Sequence, residues 1–187
     1  MTDPKPPLDL TSLFPAIEQI ADRRLREQVE QVWQALWAQS EWTDIEAVPT
    51  SGSIPYPTVP HNRCILDIAL AIADAFEHHH RVRVDRDVLI AAAILQDASK
   101  VVEYRPGEDG KVERTELGRC YPHAYWAAHL ANQHGIRDDV VHIIITHTPQ
   151  ASRFPDSIEG KILYYVDQLD VIAIHGDDWK KSLHITR

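Results

Sequence analysis

What most constrains this chain is the way its greasiest segments end. The longest unbroken apolar run, Val88 to Leu95, leads directly into Gln96-Asp97. Ile143-Ile144-Ile145 leads into Thr146-His147, and Ile162-Leu163-Tyr164-Tyr165-Val166 into Asp167. A helix apolar on every side belongs in an interior. A carboxylate carried inside with it is costly unless it is paired or bound to a cation. Two aspartates and a histidine delivered to one core are most simply reconciled by a divalent metal ion. Eleven histidines in a single acidic chain point the same way. Imidazole and carboxylate suit zinc, manganese, iron or nickel, and geometry chooses among them.

Composition narrows the partners. The 187 residues suit one domain, and 44% apolar with 25% charged residues is ordinary for a soluble globular protein. A net charge of −9 has the wrong sign for gripping nucleic acid or anionic lipid, so neither partner is expected. No apolar run approaches the ~20 residues of a membrane span. The N-terminus lacks the apolar stretch of a secretory signal. Cys64 and Cys120 are expected to stay thiols in a reducing, cytoplasmic setting.

Periodicity predicts an all-α domain. Residues 1–10, with three prolines, read as a flexible arm. Residues 11–60 hold a first helix and a proline-rich connector. In that helix Leu25, Val29, Val32 and Leu36 share one stripe, with Trp33 and Trp37 alongside. The connector spans Val48 to Pro60. From 61 to 187 helices follow in quick succession: Asn62 to about His79, then one capped by Asp85. Residues 105–118, with Pro106-Gly107 and Asp109-Gly110, form a loop or short hairpin insertion. Pro122 opens a helix that Gly135 closes. Asp138 and Asp139 start another, which Pro149 stops. Asp156 with Glu159 resembles a capping box for a last helix through about Ala173.

Taken together, these residues resemble the HD-domain metal-dependent phosphohydrolases. That family's pattern is a histidine, a His-Asp pair and a distant aspartate on helices around one metal centre. His61 stands at the first position, Leu95-Gln-Asp-Ala-Ser-Lys100 is similar to the HDxxK stretch, and Asp167 in Tyr165-Val-Asp167 matches the closing aspartate. His123 and His147 resemble the histidines that a two-metal subset adds between pair and closing aspartate. The resemblance covers about residues 60–173. It implies an HD-like helical bundle, one or two divalent ions held by His61, Gln96, Asp97, His123, His147 and Asp167, and a homodimer. It also implies a small anionic substrate, a phosphorylated compound with nucleotides among the candidates. Asp97 and Lys100 would be catalytic, with Lys100 meeting the substrate's phosphate.

Gln96 departs from the pattern. An amide carbonyl is a weaker ligand than imidazole and no strong base. Three outcomes stay open: Gln96 ligates through its oxygen, the metal shifts toward Asp97, His123 and His147, or the site is empty. Three functions correspond: hydrolysis by metal-activated water, a diiron oxygenase of a small polar substrate such as some HD relatives are, or a metal-free ligand-binding descendant.

Each candidate also has a plain structural reading. Asp97 at a helix C-terminus would oppose the macrodipole if it were merely solvated. His61 can cap its helix, and Lys100 is a favourable cation at a helix end. Asp170, one turn after Asp167, is expected as that helix's solvated acid. His142 lies about 140° around a helix from His147 and cannot share its site. Arg119, Arg153, His78-His79-His80 and Cys120 read as surface groups. The tryptophans read as packing residues, since no basic groove accompanies them.

Overall fold

This computed structural model describes residues 5–52 and 54–175. The chain opens with α1 (Leu10–Leu13), a 3-10 turn, and α2 (Arg23–Gln39), capped by the Asp22 carboxylate. A short antiparallel hairpin, β1 (Pro49–Ser51) and β2 (Ile54–Pro57), leads into α3 (Thr58–His80). Then come α4 (Arg86–Leu95) and α5 (Lys100–Glu103). A second hairpin follows, β3 (Tyr104–Pro106) with β4 (Val112–Arg114). The chain finishes with α6 (Glu116–Cys120), α7 (Tyr125–Gln133), α8 (Asp138–Thr146) and α9 (Ile158–His175). The fold is all-α, as the periodicity predicts, and among the described residues strands are confined to the two hairpins.

The bundle is built around α4. Every residue from Val88 to Leu95 is buried, and α2, α3, α8 and α9 all pack on it. Each large aliphatic side chain there contributes roughly 2 kcal/mol of transfer free energy. Around this axis, buried indoles find backbone acceptors: Trp33 Nε1 donates to Ile94 O (3.1 Å) and Trp42 Nε1 to Tyr104 O (2.8 Å). The α2 stripe of Leu25, Val29, Val32, Trp33, Leu36 and Trp37 is buried throughout.

Several expectations are corrected by the structure. Within the expected arm, Lys5, Pro6 and Leu8 contact α2. Lys5 Nζ sits 3.2 Å above the Trp37 ring and donates to Trp37 O and Ser40 O, while Trp37 Nε1 donates to Pro6 O. Only residues 1–4 of that arm, and 176–187 of the expected helical domain, lie outside the described residues. The connector's end is already helical: α3 begins at Thr58, and Pro60 falls in its first turn, where no N–H is needed. Past the hairpin, 116–120 is helical as well. No Asp156–Glu159 capping box forms. Ser157 Oγ instead accepts from Gly160 N (3.0 Å), and Glu159 Oε1 accepts from Asp85 N (2.8 Å), fastening α9 to the head of α4. Gly135, at φ 73°, ends α7 as expected; Gln28 Nε2 donates to its carbonyl and to that of His134.

Candidate metal centre

Five elements converge on one buried point. His61 comes from the first turns of α3, Asp97 from the turn after α4, His147 from the end of α8 and Asp167 from α9; His123 stands in the loop before α7. The turn after α4 is what aims Asp97. Beyond Leu95 the backbone tightens to three-residue hydrogen bonds, Ala98 N to Leu95 O and Lys100 N to Asp97 O. This re-aims the chain and sets Lys100 beside Asp97, Nζ to Oδ1 3.8 Å.

Asp97 is the shared member. Its Oδ2 lies 3.2 Å from His61 Nε2, which is also 3.3 Å from Asp167 Oδ1. Its Oδ1 lies 2.8 Å from His123 Nε2 and 3.7 Å from His147 Nε2. Two ligand sets result, His61–Asp97–Asp167 and Asp97–His123–His147, each compact enough to hold an ion. The sequence-predicted histidines and aspartates are thus all brought together.

Two acids in this centre were not foreseen as parts of it. Asp170, expected in solvent, is 5% exposed and accepts from His61 Nδ1 at 2.6 Å. Glu103 is equally enclosed. It receives His123 Nδ1 (3.0 Å), the Ser99 hydroxyl (2.6 Å) and the Ala124 N–H (3.4 Å). The third histidine uses the backbone, His147 Nδ1 donating to Ile144 O at 2.8 Å. Carboxylate and carbonyl oxygens only accept, so each Nδ1 carries a proton and each Nε2 faces the centre. This is the outer support that metal-binding histidines require. A helical spacing signal was available for both acids: Glu103 lies one turn after Lys100, and Asp170 one turn after Asp167.

Electrostatics agree with the geometry. Burial pushes Asp97 upward, but Lys100 and the three histidines outweigh it and hold the carboxyl well below its ordinary range. Burial pulls His61 down, yet Asp167, Asp170 and Asp97 raise it well above 6.5. His123 is lowered by burial and Lys100 and raised more strongly by Glu103 and Asp97, to about 9. Glu103 is lowered to about 2, His123 and Lys100 overcoming the cost of its burial. Desolvation disfavours the Lys100 ammonium, but Asp97 and Glu103 keep it charged. The backbone is strained at the same place: Ala124, fully buried, takes the left-handed conformation (φ 66°), a cost of about 1 kcal/mol borne where His123 is aimed.

The donor set fits a divalent cation. Three imidazole Nε2 atoms and two carboxylates face one another at 2.8–3.7 Å with little solvent. Next to Asp97 in the chain, the fully buried Gln96 has neither amide atom hydrogen-bonded, and Thr58 and Asn62, near His61 on α3, are similarly unsatisfied. Such orphaned groups each cost about 1–3 kcal/mol. Over the centre opens a cleft of about 590 Å³, walled by Lys100, Glu103, Arg114, Tyr121, Gln150 and Gln168 among others. The remaining candidates stay outside: His142 faces Asp156 (3.8 Å), Cys120 is exposed and in neither ligand set, and Arg119 Nη1 donates to Arg114 O at 2.8 Å.

The HD-domain family model matches residues 61–172. Over 113 residues the chain is 31% identical to the dihydroneopterin 2',3'-cyclic phosphate phosphodiesterase of Methanocaldococcus jannaschii. The shared stretch takes in 60% of this chain and 45% of that protein, so less than half of the relative's length has a counterpart here. No solved structure matches the chain.

Proposed function

The chain belongs to the HD-domain family, and on that premise we propose that it is a metal-dependent hydrolase of a small phosphate ester. The observation that carries the reading is Asp97, one carboxylate with an oxygen turned toward each of two ligand sets. Asp97 would bridge two ions, the first held with His61 and Asp167 and the second with His123 and His147. Gln96 would complete the first set through its otherwise unpartnered carbonyl oxygen. When bound, a divalent ion supplies a Lewis acid for the phosphoryl oxygen and acidifies water toward neutrality.

The chain's own side chains do the rest. Lys100, kept charged and facing the cleft, binds the phosphoryl group and offsets the negative charge that grows on it. Arg114, its Nη1 donating to Gly118 O at 3.4 Å, offers a second cation on the cleft wall. Glu103 and Asp170 keep His123 and His61 oriented. In the net reaction water oxygen bonds to phosphorus, the ester P–O bond breaks and the leaving oxygen takes up a proton. The relative's name concerns a cyclic phosphodiester, which favours such hydrolysis over the dioxygen chemistry of other HD proteins.

The test is turnover of 2',3'-cyclic nucleotides and p-nitrophenyl phosphate by protein loaded with manganese, iron or zinc. Chelation and Asp97→Ala should each abolish phosphate or phosphomonoester release. Undiminished turnover by Asp97→Ala in chelator would overturn the proposal.

A further inference from the structure

Beside the cleft stands a column of aromatic rings that the hydrolytic groups do not use and that meets the cleft at Tyr121. Tyr121, which lines the cleft, is 45% exposed, and Tyr125 is 43% exposed. Their rings are stacked, with centroids 4.9 Å apart and planes 5° from parallel. Tyr125 in turn lies parallel to His129, one turn further along α7, at 6.2 Å and 8°. Trp126 braces the column from the side, 5.9 Å from Tyr121 and 5.0 Å from His129. Trp126 itself is held by its Nε1 donating to Gln39 Oε1 at 3.0 Å. Core packing does not explain a column of rings this exposed. Exposed apolar surface gathered at a cleft is a mark of ligand binding.

Of the three parallel rings, only Tyr121 reaches the cleft, so the column ends there. The same cleft offers cations on another wall, Lys100 and Arg114, and neutral hydrogen-bonding side chains, Gln150 and Gln168. A ligand complementary to all three would carry an anionic phosphate, a flat ring and polar ring edges. We propose that Tyr121 is the stacking platform for a planar nitrogen heterocycle borne by the phosphorylated substrate, as in a nucleotide or a pterin phosphate. The inference rests on the phosphoester reading for the phosphate end alone. Aromatic stacking of a heterocycle is strong enough to matter, about five- to a hundredfold in affinity.

The experiment compares adenosine 5'-monophosphate with ribose 5-phosphate, which has the same sugar and phosphate but no base. Calorimetry on the full, metal-loaded chain should show the nucleotide binding about five- to a hundredfold more tightly. Tyr121→Leu should bring the ratio of the two affinities to within about twofold of unity, while Tyr121→Phe should keep it, separating ring stacking from any loss of fold. Equal affinities in the unmutated protein, an unchanged ratio in Tyr121→Leu, or no binding of either compound would overturn the proposal. A preserved ratio in a protein that hydrolyses no phosphate ester would instead overturn the hydrolase reading and leave the platform standing.

Discussion

Asp170→Asn removes a negative charge from behind His61 but keeps an oxygen able to accept from Nδ1. The contact is 2.6 Å long, and His61 and Asp170 are 1% and 5% exposed, so solvent screens the lost charge little. Loss of such a supporting carboxylate lowers metal affinity about 10–100-fold, or ~1.4–2.7 kcal/mol. An opposing effect reduces this near neutral pH. Asp167, this same acid and Asp97 together raise His61 well above 6.5, so in stripped protein the metal must displace a proton, and the variant makes that displacement easier. The expected loss at pH 7 is therefore near the lower end, about tenfold. It should fall on the ion shared by His61, Asp97 and Asp167, whereas Glu103→Gln should weaken the ion shared by Asp97, His123 and His147. Titration calorimetry of stripped protein with manganese or zinc resolves the two steps. If each variant weakens both steps alike, or neither step moves, the assignment of a separate supporting acid to each ion is wrong.

Other outcomes follow from the same geometry. Gln96→His should raise affinity for one ion at least about tenfold, because imidazole replaces an amide carbonyl beside Asp97; an unchanged isotherm would mean that position 96 does not touch the ion. Gly118→Ala would drive a methyl into the Glu103 carbonyl oxygen and force α6 away from α5. Thermal melting should fall by about 2–10 °C, and a variant melting with the unmutated protein would show that the contact yields freely. Stripped protein should lose stability as pH rises from about 6.5 to 9. His123 sits near 9 in the folded chain and near 6.5 when unfolded, so its contribution is complete below 6.5 and lost through 9. Denaturant melts at pH 6 and pH 9 check this, and metal-loaded protein should show the opposite trend because ions compete with protons for the same nitrogens.

The helices were legible because the signals were strong and local. Val88 to Leu95 could only be interior, and that alone placed Asp97 at depth. The α2 stripe and the Asp85 cap needed no tertiary knowledge either. The two supporting acids were harder to read because their roles depend on partners 20 and 109 residues away. Asp170 has the spacing of a second solvated acid, and nothing local says that α9 turns it onto α3. The packing of residues 5–10 was hidden for a similar reason: prolines and a lysine read as polar, but Lys5 lays its cation on Trp37. Glu159 shows the converse error, a convincing local cap whose side chain is taken by the head of α4 instead.

The excursion from Tyr104 to Cys120 is clasped at its base, where Thr115 N donates to the Glu103 carbonyl, Thr115 Oγ1 donates to Val102 O at 2.6 Å, and Gly118 lies against the Glu103 carbonyl oxygen. Its far tip, around Gly110, meets nothing within 4 Å of where a side chain would begin. Asp97 and His123, members of the candidate ligand sets, flank this loop, while Arg114 on it and Tyr121 just past it line the cleft. Changes in the tip's length or residues would therefore leave both the clasp and the cleft wall as they are.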